Sequence, residues 1–279
     1  MVSMKLSHGL SIPSVGFGTA PLKGQEAYEA VKEALRVGYR HIDTAAIYLN
    51  EAEVGRAIKD SQVPREAIFI TSKLDASIKT YQGALEAYEA SLRALGVQAL
   101  DLYLIHAPWP WEAKYSEHHA GNVAAFNALI DLYKAGKVKA IGVSNFDIVD
   151  LKNLQDHCEM LPQVNQIKCH VGHFPSELIH YCQAHDILVE AYSPLGRAKI
   201  LQHETIHHLA SKHGVSPAQV CLRYPLERGV LPLPRSSNPA NIKMNFDLAF
   251  SLDEEDLAIL DALTLESVEF GTPVTPKKP

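Results

Sequence analysis

The chain has 279 residues, enough for one (β/α)8 barrel or two small domains and too many for a minimal module. Hydrophobic residues make up 47% and charged residues 21%, which allows a sizeable core and excludes disorder as the default state. With 26 Lys and Arg against 32 Asp and Glu the net charge is −6, which disfavours nucleic acid or an anionic membrane as partner and still leaves room for a local phosphate pocket.

Met1-Val2-Ser3-Met4-Lys5 lacks the apolar core of a signal peptide, and no apolar run reaches the roughly 18 residues of a membrane span. Cys158, Cys169, Cys182 and Cys221 form no CxxC pair and read as reduced thiols of a cytoplasmic protein. No heptad or apolar patch signals assembly, so a monomer is expected.

Residues 5–12 read as a small hairpin turning at His8-Gly9, suited to plug the closed bottom of a barrel. Eight short apolar, β-rich runs follow, at 15–18, 41–43, 68–73, 100–106, 140–144, 163–166, 188–191 and 230–234. Most start about 25 to 40 residues apart, the length of a βα unit with its loops. The run at 100–106 (LDLYLIH) is largely apolar rather than alternating, as parallel strands covered on both faces are.

Between the runs, Ala27, Val31, Ala34 and Leu35 make a helical stripe that stops at Gly38. Asn50 with Glu53 resembles an N-cap followed by an acid at N3. Tyr81, Leu85, Tyr88, Leu92 and Leu95 predict a helix closed by Gly96. Asp253-Glu254-Glu255-Asp256 reads as the acidic first turn of the last helix. One feature conflicts with the scheme: Pro232 and Pro234 fall in the eighth strand, where each removes a ladder donor. No linker or low-complexity tract divides the chain. The expectation is an α/β fold, a (β/α)8 TIM barrel with an N-terminal hairpin at its bottom, forming one domain over 1–279 with a short tail from about 266–279.

In such a barrel, function collects where strands end and βα loops begin. The residues ending successive runs are Asp43, Lys73, His106, Ser144-Asn145, Gln166, Tyr192-Ser193 and Arg235-Ser236. A purely structural barrel has no need of so many ionisable or hydrogen-bonding groups at one rim.

His41-Ile42-Asp43-Thr44-Ala45-Ala46-Ile47-Tyr48 followed by Asn50-Glu51 resembles the signature of the aldo-keto reductases. Leu104-Ile105-His106, Ile141-Gly142-Val143-Ser144-Asn145-Phe146, Gln163-Val164-Asn165-Gln166 and Ala191-Tyr192-Ser193-Pro194-Leu195-Gly196 are similar to further blocks of that family, in order. The likeness spans roughly residues 5 to 265, and the short tail resembles the bacterial, 2,5-diketogluconate-reductase-like branch.

The resemblance implies an NADPH-dependent reduction of aldehydes and ketones with Asp43, Tyr48, Lys73 and His106 as the catalytic set. The chemistry is consistent. A carbonyl that accepts hydride becomes an alkoxide and needs a proton as charge develops. Lowering a phenol from about 10 to about 7 takes roughly 4 kcal/mol, about what one ammonium at ~4 Å supplies at an effective dielectric near 20. Lys73 is therefore expected to acidify Tyr48, Asp43 to keep Lys73 charged, and His106 to hold the carbonyl oxygen.

By the same resemblance Ser144, Asn145 and Gln166 suit a nicotinamide carboxamide, and Tyr192 lies flat against its ring. Ser193, Leu195 and Gly196 then line the pyrophosphate. Leu233-Pro234-Arg235-Ser236-Ser237-Asn238, with Asn241 and Asn245 beyond, resembles the adenosine-phosphate clamp. Arg235 stands where the family usually has Lys and can grip a 2′-phosphate bidentately. Asn241 replaces a common Arg and Met244 an acid, which leaves NADH use open. Ala20, Asp75 and Ala107 occupy positions that are often Trp in the family, implying a wider, more polar substrate pocket, closed from the loops by Trp109, Trp111 or Tyr81.

Gly16-Phe17-Gly18 begins like a dinucleotide fingerprint, but Pro21 stands at the last glycine and no helix opens at once. His118-His119 and His203, His207 and His208 lack a third ligand type and read as solvated helix faces, with no metal expected. Two other readings compete: an aldolase using Lys73 as a Schiff-base nucleophile, and a cofactor-sensing binding protein with little turnover.

Overall fold

The computed structural model describes residues 3–113 and 117–264. The tail expected at 266–279 lies outside the described residues. A two-stranded hairpin, β1 (Ser3–Lys5) and β2 (Ser11–Pro13), precedes eight parallel strands. These are β3 (Phe17–Gly18), β4 (His41–Asp43), β5 (Phe69–Leu74), β6 (Leu100–Ile105), β7 (Val138–Ser144), β8 (Val164–Lys168), β9 (Leu188–Tyr192) and β10 (Val230–Leu233). They are hydrogen-bonded in sequence order, and each of the eight runs expected from the sequence overlaps one of them.

The barrel closes between its first and last strands. Gly16 N donates to Pro232 O at 3.1 Å and Gly18 N to Pro234 O at 3.0 Å. This resolves the two prolines. A residue in a strand points its N–H and C=O to the same side, so the missing donors of Pro232 and Pro234 face this short seam and spare the ladder to β9. The seam also explains Gly16 and Gly18, whose amides are spent here rather than on a phosphate. A Cβ on Gly16 would lie 2.5 Å from Leu233 Cδ2 and 2.6 Å from His41 Nδ1.

Helices α1 (Gly24–Val37), α2 (Glu51–Asp60), α3 (Tyr81–Leu95), α4 (His119–Lys134), α5 (Ile148–His157) and α6 (Ser176–Ala184) connect the strands from β3 to β9. Two helices, α7 (Glu204–His213) and α8 (Pro217–Glu227), join β9 to β10, and α9 (Pro239–Phe246) and α10 (Glu254–Asp261) finish the described chain. The stripe on α1 is buried and ends at Gly38. Helix α3 is capped by Thr80, which accepts from Gly83 N, and ends at Gly96 in the left-handed region, φ 66°. Asp253 and Asp256 form a reciprocal capping box on α10. Asn50 does not cap α2 as expected from its spacing to Glu53. It is fully buried, and its side chain binds loop groups described below.

The hairpin covers the bottom. Leu6 and Ile12 pack with Phe69, Leu102, Ala140, Val164 and Leu231 from the lower parts of the barrel strands. His8 Nε2 lies 3.1 Å from Lys139 O, and Gln163 Nε2 lies 3.0 Å from His8 Nδ1. With the bottom filled, the strand C-terminal ends are left as the open rim.

Helix α2 offers a test of packing against propensity. Alanine at mid-helix Gly55 would gain about 1 kcal/mol of helix propensity. Its Cβ, however, would sit 2.0 Å from Leu95 O at the end of α3, a backbone contact that cannot yield cheaply. Overpacking of this kind costs about 1–3 kcal/mol, and the closeness puts it at the upper end. Gly55→Ala is expected to destabilise the protein by about 1–2 kcal/mol net in chemical denaturation.

Candidate active site

At the rim lies a cavity of about 800 Å³ bounded by residues from seven of the barrel strands or the loops after them. Asp43, Tyr48, His106, Ser144, Asn145, Gln166, Tyr192, Ser193, Leu195 and Arg235 all line it.

Lys73, near the end of β5, is fully buried below this surface. Its ammonium donates to both oxygens of Asp43, at 2.7 and 2.8 Å, and to Thr44 O at 2.9 Å. Burial alone would neutralise such a lysine, but Asp43 and then Tyr48 more than offset it, and Lys73 is held above its ordinary range. All three ammonium protons are engaged and the charge is retained, which removes the Schiff-base reading of this residue.

Tyr48 ends a single 3₁₀ turn, Ala46–Tyr48, that follows β4. Asn50 fixes this turn from behind. Its Oδ1 accepts from Thr44 Oγ1 at 2.7 Å, and its Nδ2 donates to Leu22 O at 2.8 Å and Thr19 O at 3.2 Å. The Tyr48 ring centroid lies 5.2 Å from Lys73 Nζ, and its hydroxyl 3.5 Å from His106 Nε2. Burial raises the Tyr48 phenol above its usual range. The Lys73 ammonium pulls the other way, Asp43 opposes it, and the net shift stays upward. The expectation that Lys73 brings this phenol down towards neutrality is therefore corrected. In the protein alone desolvation wins, and Tyr48 is kept protonated, the state a proton donor starts from.

His106 follows β6 and is held neutral, well below its ordinary range, by burial and by the charge of Lys73. Its Nδ1 is buried without a hydrogen-bond partner. A neutral ring carries one proton, and a buried unpaired N–H is the rarer arrangement, so the proton belongs on Nε2, beside the Tyr48 hydroxyl.

The neighbouring amides are already engaged. Gln166 Nε2 donates to Asp43 Oδ2 at 2.9 Å and to Glu190 Oε2 at 2.8 Å, which commits both amide protons and leaves Oε1 as an acceptor. Ser144 Oγ donates to Gln166 O at 2.8 Å. Asn145 Nδ2 donates to His106 O at 3.0 Å and Ser144 Oγ at 3.1 Å, while its Oδ1 accepts from Tyr192 Oη at 2.8 Å. Asn145 and Ser193 stand in the left-handed region, φ 63° and 52°, at the ends of β7 and β9. Backbone strain of this kind gathers at functional sites.

Towards the other end of the cavity, Gly196 opens a 3₁₀ turn at φ 52°, and a Cβ there would come within 3.3 Å of His170 Nδ1. Arg235 is exposed on the wall. Ser236 Oγ accepts from Asn238 N at 3.0 Å, and Asn238 caps α9. Ser237 and Asn241 are exposed and Asn245 is buried. None of Ser236, Ser237, Asn241 or Asn245 is among the residues lining the cavity, nor is Gly196.

The expected substrate residues divide. Ala20 lines the cavity beside Pro21, Ile47 and Trp111. Ala107 and Trp109 are buried against Ala76 instead, and Tyr81 donates to Asp131 on α4. The Asp75 carboxylate turns back on its own loop, accepting from Ser77 N at 2.9 Å and Ser77 Oγ at 2.7 Å. It adds no polarity to the pocket, whose described mouth is apolar. Trp111 stands edge-on to His106 with ring centroids 5.5 Å apart.

Sequence reasoning missed two residues beneath the rim, His41 and Glu190, both fully buried. A signal for the second was present: Glu190 interrupts an apolar run (LVEAY), a breach of pattern that a purely structural strand would not tolerate.

The family model of the Aldo/keto reductase family matches residues 14–264. A glyoxal reductase of Bacillus subtilis is 43% identical over 263 residues, covering 94% of this chain and 92% of the relative. An aldehyde reductase of Saccharomyces cerevisiae is 42% identical over 287 residues, covering 94% and 90%. A Bombyx mori aldo-keto reductase solved in complex with NADP superposes with a TM-score of 0.85 at 32% identity, covering 93% of this chain and 92% of that one.

Proposed function

Since the chain belongs to the aldo/keto reductase family, and so to the oxidoreductases that use a nicotinamide cofactor on small carbonyl compounds, we propose that it reduces aldehydes and ketones with NADPH, using Tyr48 as the proton donor. The observation that carries this reading is the convergence at one rim of a protonated phenol, a buried ammonium and a neutral imidazole. The retention of all four expected catalytic positions weighs against a purely sensing role.

The residues present fit the cofactor. With both its amide protons committed, Gln166 offers Oε1 to a carboxamide NH2. Tyr192 is held by its bond to Asn145 and lines the cavity, where its ring would lie against the nicotinamide. Ser193 and Leu195 would flank the pyrophosphate, with Gly196 keeping the backbone low. Arg235, Ser236, Ser237, Asn241 and Asn245 would take the adenosine phosphate end. When bound, a reduced nicotinamide supplies the hydride.

The substrate oxygen sits between Tyr48 Oη and His106 Nε2, which together donate two hydrogen bonds to it. As negative charge develops there, the Tyr48 proton passes to it and leaves a phenolate facing Lys73. The ammonium, fixed by Asp43 and Thr44, needs no reorganisation to stabilise that phenolate. Burial keeps the proton on Tyr48 until this moment. Ile47, Trp111 and Ala20 line the mouth and favour a carbonyl compound with an apolar group.

We take the protein to be a cytoplasmic monomer of one domain, acting on neither nucleic acid nor membrane. Its four cysteines are free and three of them are buried, which fits a reducing compartment. No helix among the described residues is long and apolar enough to cross a membrane.

Two variants test the assignment. Tyr48→Phe is expected to lower kcat for carbonyl reduction by about 10²- to 10⁴-fold while cofactor affinity in fluorescence titration stays close to unchanged. Equal turnover would remove Tyr48 as the acid. Arg235→Ala is expected to weaken NADPH about tenfold with little effect on NADH, and equal loss for both would take Arg235 off the 2′-phosphate.

A further inference from the structure

One ionisable residue beneath the rim has no role in the chemistry above. Glu190 lies within β9 between Val189 and Ala191, with no exposure to solvent. From β8, Gln166 Nε2 donates to its Oε2 at 2.8 Å. From β4, His41 Nε2 lies 3.9 Å from its Oε1, too far for a hydrogen bond, and is itself 3.0 Å from Thr71 Oγ1. Asp43 also comes from β4, and Lys73 and Thr71 come from β5. The β10 residue in register with it is the apolar Leu231. Glu190 Oε1 has no hydrogen-bond partner.

The charges here do not balance with Glu190 ionised. Lys73 and Asp43 already cancel, and burial drives His41 down to about 3, so it is neutral and no counter-ion. A second carboxylate would be an uncompensated charge away from water. Burial and then Asp43 push the Glu190 carboxyl up to about 8. Other ionisable groups of the site lie away from that range. Tyr48 and Lys73 are raised, Tyr192 is pushed up to about 12, and His106 is lowered.

We propose that Glu190 is a positioning residue of the reductase site, whose protonated carboxyl, with Asp43, fixes the Gln166 amide with Oε1 towards the cavity, and whose ionisation suppresses reduction. The proposal rests on the carbonyl-reductase reading above. With acceptors on two sides of Nε2, the amide has one orientation that satisfies both. Loss of the Glu190 proton adds a negative charge close to the Lys73–Asp43 pair. The phenolate that forms at Tyr48 then competes with it for the same ammonium, Tyr48 becomes a weaker acid, and proton delivery slows.

The test is the pH profile of kcat for carbonyl reduction at saturating NADPH in wild type, Glu190→Gln and Glu190→Leu, with melting temperature as the check on folding. Wild type is expected to lose at least about threefold in kcat between about pH 7 and 9. Glu190→Gln keeps the acceptor and removes the titration, so its activity stays within about twofold of wild type near pH 7 and flat above it. Glu190→Leu frees the amide and raises the KM for cofactor about tenfold, an effect that Glu190→Gln does not share. The same alkaline loss in Glu190→Gln, or none in wild type, overturns the proposal. Absence of turnover in wild type at every pH overturns the reductase reading itself.

Discussion

Lys73 and Asp43 meet inside the barrel, with the ammonium fully buried and bonded to both carboxylate oxygens. Two charges taken from water are worth keeping only when their geometry is good and their remaining valences are filled. Both conditions hold. Thr44 O takes the third ammonium proton, and Gln166 donates to Asp43 Oδ2. The pair therefore constrains its surroundings. Together with burial its ammonium keeps His106 neutral, the same charge opposes the desolvation of Tyr48, and its carboxylate holds the Gln166 amide. What can be done at the rim follows from which groups that one positive charge makes neutral and which it leaves room to become negative.

Several local features hold this arrangement in place. The seam between Gly16 or Gly18 and the carbonyls of Pro232 and Pro234 closes the cylinder, so β3 and β10 meet in a ring instead of ending the sheet as open edges. The hairpin fills the other end. Asn50 ties the turn bearing Tyr48 to the loops after β3 and β4, which fixes the phenol without using any group on the ring. Left-handed residues at Asn145 and Ser193 turn the ends of β7 and β9 over the cavity. Ser144 and Tyr192 then hold the Asn145 amide, and Asp43 and Glu190 hold that of Gln166, before any ligand is present. A site organised in this way spends little on reorganisation at the moment of reaction.

The fold was largely legible in the sequence because strands such as β6 read as largely apolar runs and helices such as α1 and α3 show a stripe of period 3.6. The rim residues were legible because polar groups directly follow those runs. Three things were not. Asn50 has the spacing of a cap but serves the tertiary structure, since its burial depends on loops some 30 residues away. The sign of the Tyr48 shift was missed because desolvation depends on burial, which pairwise reasoning about Lys73 and Tyr48 leaves out. Asp75, Ala107 and Trp109 looked like pocket walls by position alone, and loop conformation turned them elsewhere.

The central claim is that a desolvated ammonium at position 73 stabilises the phenolate of Tyr48. Removing Lys73 alone would leave Asp43 as a buried orphan charge and confuse stability with chemistry. The direct measurement is single-turnover carbonyl reduction by the doubly neutral variant Lys73→Met with Asp43→Asn, at a saturating NADPH concentration. The rate is expected to fall by about 10²- to 10³-fold while the cofactor still binds. A rate close to that of the wild type in a folded, cofactor-binding double variant would contradict the account.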